Sequence, residues 1–374
     1  MNSIILKAPC DGASDVSEAL QRALDTHREV RIPAGVYKIG RTLRLPSGAS
    51  ISADAGSRLF LADGAAQDEH DYLITNADHR GGNEGISING GIWDGNNAGN
   101  PRPGPSLTAR GYTGALMHFE NVSNLKLSDL EVRNAEAYYV RLTHARQFVI
   151  EGISFGADVI RPNNDGIHLG GFCEDGMIRR LRGLRPGVTG DDMVALNADD
   201  ASERTEVFGM ANGPIRRIAI EDVEAEDCHS FVRLLSVWSV IEDVTIRDVR
   251  GTCSVAAINA DAARNCRVQV FDPTHPPYED GVGMLRRIHA SGFRVARSSP
   301  GHTPLLRLET RMSDFRVEDF KRLRERDLSP GTPTLRLMNT VVKPFTINGQ
   351  RHPGLSLKEE FALDEDEIGF AVPE

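Results

Sequence analysis

The sequence predicts an all-β chain wound as a single-domain parallel β-helix, with one short helix closing its N-terminal end. Three observations carry this. Short apolar alternations recur along the chain, as Leu125–Leu130, Phe148–Ile153, Ile218–Val223 and Val244–Val249. Anchored on Leu127, Ile150, Ile178, Ile220 and Ile246, they step by 23, 28, 42 and 26 residues. A second series of strands lies upstream of the first in each unit, and no long amphipathic helix separates the units. Period-2 alternation buries one face of a strand, and short strand–turn–strand units stack into coils about 4.8 Å apart.

Taken in order, residues 1–40 form the N-terminal cap and first coil. There Asp15 caps a helix with Glu18 three residues on, and Ala19, Leu20, Ala23 and Leu24 form its apolar stripe. A helix at this point covers the open strand edges of the first coil. Residues 41–350 form the coils. Their second strand series reads Leu116–Phe119, Tyr139–Leu142, Gly166–Leu169, Met193–Leu196, Phe231–Leu234 and Val255–Ile258, then Leu305–Leu308 and Thr334–Leu337. Residues 351–374 are acidic, less regular and read as a closing tail.

The chain has 374 residues, with 43 Lys+Arg against 53 Asp+Glu and a formal net charge of −10. At 40% hydrophobic and 26% charged it has a globular balance, which excludes a disordered chain. The acidic surplus argues against a nucleic-acid partner and lends nothing to an anionic membrane surface. No stretch is apolar for long enough to span a bilayer, and the first residues lack a signal peptide's pattern, so a cytoplasmic location is expected. Cys10, Cys173, Cys228, Cys253 and Cys266 are scattered and form no C-x-x-C pair, which reads as free thiols rather than a disulfide frame or zinc site. No cofactor and no metal are expected.

Stacking turns sequence separation into adjacency. Aligned on the second strand series, Asp165, Asp192 and Ser230 share one position, and Asn164, Asp191 and His229 lie one residue earlier. His118, Arg141, His168, Ala195 and Arg233 share an outward position three residues after the aspartates. Three adjacent carboxylates cannot all ionise freely, so one can stay protonated as an acid while another serves as a base. Glycosidic bond cleavage needs that division. The histidines and arginines are candidates for binding hydroxyls or acidic groups. Each residue also has a plainer reading. Asp and Asn are common in coil turns, where Asp199, Asp200, Asp222 and Asp248 fit, and a lone His118 or His168 fits an ordinary surface position. Arg307 and Arg336, farther along, read as solvated.

These residues also resemble a family. Asp11–Gly12–Ala13 through Gln21 and Arg31–Tyr37 look like the opening of polygalacturonase-like right-handed β-helix proteins, glycoside hydrolase family 28, with the pectin-lyase-like solenoid fold. Gly90–Gly95, Asn163–His168 and Gly190–Asp191–Asp192 are similar to that family's G-G-x-I-D-G, N-T-D-G-I-H and G-D-D segments, with Asn164 in place of Thr. The resemblance covers roughly residues 10–260. It implies Asp191 as general acid, Asp165 and Asp192 as activators of water, and a supporting role for His229 where the family has G-H-G. The family's R-I-K segment, which binds the substrate carboxylate, falls on Ala256–Asn259 and is absent. The sequence therefore predicts an inverting glycosidase on a pectin-type or related carbohydrate. Its catalytic residues are Asp191, Asp165, Asp192 and His229, and Arg141, His168, Arg233, His118 and Asn164 bind substrate. A polysaccharide lyase or epimerase on the same fold, and a non-catalytic carbohydrate-binding rod, remain as alternatives. The segments Asn96–Gly114 and Ala201–Pro214 are expected to wall the groove.

Overall fold

The computed structural model describes residues 3–103, 111–200, 206–207, 209–262 and 280–374. It is a right-handed parallel β-helix, 54% strand and 4% helix. The coil register follows the anchors: Leu127 pairs with Ile150, Ile150 with Ile178, Ile178 with Ile220 and Ile220 with Ile246, all in parallel. The stack continues to Ala290 and Val317. All of these side chains are fully buried. Each buried Leu, Ile or Val of this ladder contributes about 1.5–3 kcal/mol.

Two corners repeat beside this ladder. Two residues after each anchor the backbone turns left-handed, at Asp129, Gly152, Arg180, Asp222, Asp248, Gly292 and Asp319, with φ between 49° and 72°. Three residues before each anchor it does so again, at Asn124, Gln147, Asp175, Arg217, Asp243, Arg287 and Asp314. Asn and Asp tolerate this region better than other residues with side chains, which is why the repeats carry them. Asp222 and Asp248 are thus turn residues, as the plainer reading held.

The helix runs Ser17–Thr26. Its N-cap is Val16; Asp15 lies one residue farther out, where Oδ1 accepts the Ser17 amide at 2.9 Å. Leu20, Ala23 and Leu24 are buried with Ser17, whereas Ala19 is exposed, so the apolar stripe is narrower than expected. At the other end the acidic segment is more ordered than its composition suggests. Phe361–Leu363 pairs antiparallel with Leu335–Leu337, and Glu367–Val372 with Met312–Arg322 and Phe345–Ile347. The buried Arg322 ties this end together, 2.6 Å from Asp327 and 2.9 Å from Asp364.

Cys10, Cys173, Cys228 and Cys253 are free thiols, and Cys266 lies outside the described residues. Cys228 and Cys253 are direct register partners on adjacent coils, so their positions are related after all.

Candidate active site

Four consecutive coils build the site. The outward ladder runs His118, Arg141, His168, Ala195, Arg233 and Asn259, each the register partner of the next. It then continues through Arg307 to Arg336. At the start of these strands the main chain holds the aspartates in place: the Gly166 amide donates to the Asp192 carbonyl and the Tyr139 amide to the Asp165 carbonyl, both at 2.9 Å. Asp165 and Asp192 are therefore neighbours on successive coils, and the Asp192 amide donates to Asp165 Oδ1 at 3.3 Å.

The three carboxylates differ in exposure. Asp192 is fully buried, Asp165 nearly so, and the Asp191 side chain is 15% exposed. His229 reaches over them, 37% exposed, with Nδ1 3.1 Å from Asp191 Oδ1 and 3.5 Å from Asp192 Oδ1. Arg233 lies 4.0 Å from Asp192 and donates from Nε to Asp261 at 3.2 Å. Asn163 donates to Asp191 Oδ2 at 3.3 Å.

Burial and mutual repulsion set the charges. Burial, reinforced by Asp192, raises Asp191 to about 6. Burial and then Asp191 push Asp165 well above the usual carboxylate range. Burial raises Asp192 too, against the pull of His229. Burial works against the His229 cation, but Asp192 and Asp191 outweigh it and raise the imidazole above its ordinary value. Burial, Arg141 and Arg233 hold His168 down at about 3. The set thus contains a carboxyl that is protonated in weak acid, a histidinium beside it, and a neutral histidine on the other side.

Not every expected contact residue faces this cleft. Asn164 is wholly buried and donates to the Ala135 and Ala137 carbonyls at 3.2 and 2.7 Å, so it holds the turn rather than a sugar. His118 is buried, accepting from Arg141 Nε at 3.1 Å, with Tyr72 stacked at 4.8 Å. Arg141 is buried as well, lying over the rings of Tyr72 and Tyr138. Both are thus packed beneath the cleft rather than at its surface. Arg233, 23% exposed, opens onto the cleft, and His168 lies buried beside Asp165.

Arg307 is no solvated residue: it pairs with the buried Glu309 at 2.6 Å. Asp261, Glu309 and Asn163 escaped the sequence reading. The first two had a signal, because a residue two places after an outward one shares its face, as Glu309 does with Arg307 and Asp261 with Asn259. Much of the expected groove walls, residues 104–110, 201–205 and 208, lies outside the described residues.

Among the described residues, two groups offer donor atoms at metal-binding separation, within 4.8 Å of one another in each group: Asp191, Asp192 and His229, and His79, His118 and Glu120. In the second, Arg141 donates to His118 Nδ1, so a neutral His118 carries its proton on Nε2 and has no lone pair left for an ion. In the first, the raised His229 favours the imidazolium, a hydrogen-bond donor rather than a ligand.

No family model matches the chain. Over 157 residues it is 24% identical to Polygalacturonase-2 of Solanum lycopersicum, a match covering 42% of this chain and 32% of that protein. It thus spans about a third of that relative's length. Among solved structures, the family 28 exopolygalacturonase of Yersinia enterocolitica superposes with a TM-score of 0.58 at 16% identity, covering 90% of this chain and 68% of that one. The exopolygalacturonase of Thermotoga maritima gives 0.54 at 16% identity, covering 97% and 95%. The resemblance to polygalacturonase-like proteins therefore recurs in both comparisons, and the shared fold is the parallel β-helix.

Proposed function

We propose that the chain is a glycoside hydrolase that cleaves a pectin-type or related oligo- or polysaccharide with inversion. The observation that carries this is the convergence of three buried carboxylates and His229 from successive coils, with Asp191 at about 6. Asp191 is the most exposed of the three and is protonated in weak acid, so it donates to the leaving glycosidic oxygen. Asp165 and Asp192, raised as well, take up the proton of the attacking water from their ionised forms. His229 places Asp191 and tunes it electrostatically. Asp191 and Asp192 offer oxygens within 4.8 Å of one another, closer than the usual separation of about 6.5–9.5 Å in inverting pairs. Inversion therefore requires the water to be held by Asp165, one coil away, rather than between Asp191 and Asp192. Arg233, 23% exposed, is the cation within reach of an acidic or hydroxyl group of the sugar.

The test is release of sugar from a panel of oligosaccharides, with nuclear magnetic resonance of the first-formed product. An inverted reducing sugar supports the reading. An unsaturated product assigns the chain to lyases instead, and binding without any product assigns it to carbohydrate-binding rods.

A further inference from the structure

His168 combines features that the three-carboxylate scheme does not use. Its Nδ1 lies 2.5 Å from Asp165 Oδ2, and the other Asp165 oxygen receives the Asp192 amide. The edge of the Tyr138 ring packs against the imidazole at a centroid distance of 4.9 Å, which limits its rotation. Its ladder neighbours are Arg141 on one side and Ala195 on the other. Ala195 ends at a methyl group and can supply neither donor nor acceptor. The His168 Nε2 is consequently buried with no hydrogen-bond partner among the described residues. A buried polar atom left unpaired costs about 1–3 kcal/mol, and such atoms call for an explanation.

We infer that His168 is a positioning residue that also reads the substrate: Nδ1–H holds Asp165 in place while Nε2 accepts a hydrogen bond from one hydroxyl of the bound sugar. This rests on the hydrolase reading above. The chemistry follows from the two nitrogens of one neutral ring. While Asp165 is ionised, its carboxylate takes the Nδ1 proton and the ring must offer a lone pair at Nε2. A hydroxyl fits that lone pair; a sugar carboxylate does not, because both would be acceptors. The imidazole stays neutral because burial and the cations of Arg141 and Arg233 oppose its protonation. One side chain thereby ties the seating of the sugar to the orientation of the group that activates water, and it selects for a neutral hydroxyl at this point of the groove.

Two substitutions separate the roles. His168→Asn puts an amide nitrogen near the place of Nδ1 and removes Nε2. It should leave kcat within about threefold and raise KM about tenfold, the worth of one hydrogen bond. His168→Leu removes both bonds and should lower kcat about tenfold further. Among monodeoxy analogues of the substrate, one should bind about tenfold worse to the wild type yet lose nothing more in His168→Asn. Equal kcat and KM for the Asn and Leu variants, or analogues that suffer alike in both proteins, would overturn the inference. A third measurement needs no turnover. At a pH high enough to ionise Asp165, which burial raises well above the usual carboxylate range, imidazole nitrogen resonances of the resting wild type should show an Nδ1–H proton shifted far downfield, lost in Asp165→Ala. A wild type with this signal and no hydrolytic product refutes the hydrolase reading and leaves the Nδ1 bond standing; absence of the signal refutes the bond itself.

Discussion

Replacing Asp191 by Asn should slow the protein and stabilise it at once, and the pH dependence of that gain is the sharper test. Asp191 sits at about 6 rather than the ordinary 3.8, because burial and Asp192 disfavour its anion. That difference corresponds to about 3 kcal/mol against folding whenever the carboxyl is ionised. Its side chain is only 15% exposed, so solvent screening removes little of this. The sign follows from the raised value. Below about pH 3 the group is protonated whether folded or not and costs almost nothing; the penalty grows as pH rises from about 4 towards 6 and is nearly complete above about pH 7. Asn cannot ionise and escapes it. Part of the gain is given back, since His229 loses a carboxylate at 3.1 Å and keeps only Asp192 at 3.5 Å. The net expectation is a variant more stable by about 1–3 kcal/mol at pH 8 and equal to wild type near pH 3. Urea midpoints at the two pH values measure this. Turnover should fall about 10²–10⁴-fold on the natural glycoside and less on one with an activated leaving group. Equal stability at both pH values would refute the electrostatic reasoning, and undiminished turnover would place the acid elsewhere.

Three further outcomes follow from the same geometry. His229→Gln removes a cation that favours the Asp191 anion, so the alkaline limb of the kcat profile should move up from near pH 6; a limb that moves down or stays would contradict the tuning role. Asn164→Ala leaves the Ala135 and Ala137 carbonyls short of a donor and should cost about 1–3 kcal/mol in urea unfolding, whereas a surface sugar-binding residue would cost nearly nothing. The first-formed sugar should have the inverted anomeric configuration by nuclear magnetic resonance; a retained one would make Asp192, close beside Asp191, the nucleophile.

The coil register was legible because period-2 burial and repeated corners leave marks on a single sequence. Leu127 through Ile246 could be aligned without coordinates, and with them Asp165 beside Asp192 and Arg141 beside His168. What was illegible concerns depth. An outward position in a ladder does not tell whether neighbouring coils cover it. His118 and Arg141 lie outward in register, yet Tyr72 and Tyr138 cover them. Asn164 shares its place with Asp191 and His229, but the local turn drives its amide onto two carbonyls instead of into the cleft. Left-handed corners mislead in the same way. Arg180, Arg217 and Arg287 occupy positions where Gly, Asn or Asp would be expected, and only the coordinates reveal that these corners bend like the others.

The stack also explains why the site can carry destabilising charge and vary its outward residues without changing its fold. Beneath the outward ladder runs an inner one, Val140, Ile167, Val194, Val232, Ile258, Leu306 and Leu335, every member fully buried and each in register with the next. At about 1.5–3 kcal/mol apiece, those residues outweigh the cost of one buried anion several times over. Because alternate residues face opposite ways, an outward residue can be exchanged while its inward neighbours keep their places. The segment Ala256–Asn259 illustrates this. The Arg and Lys of the family's R-I-K segment are absent from it, yet Ile258 still bridges Val232 and Leu306 in the core. An outward exchange at this segment therefore leaves the coil intact. In a solenoid of this kind the inner face argues for the fold, and only the outward face, residue by residue, argues for the sugar.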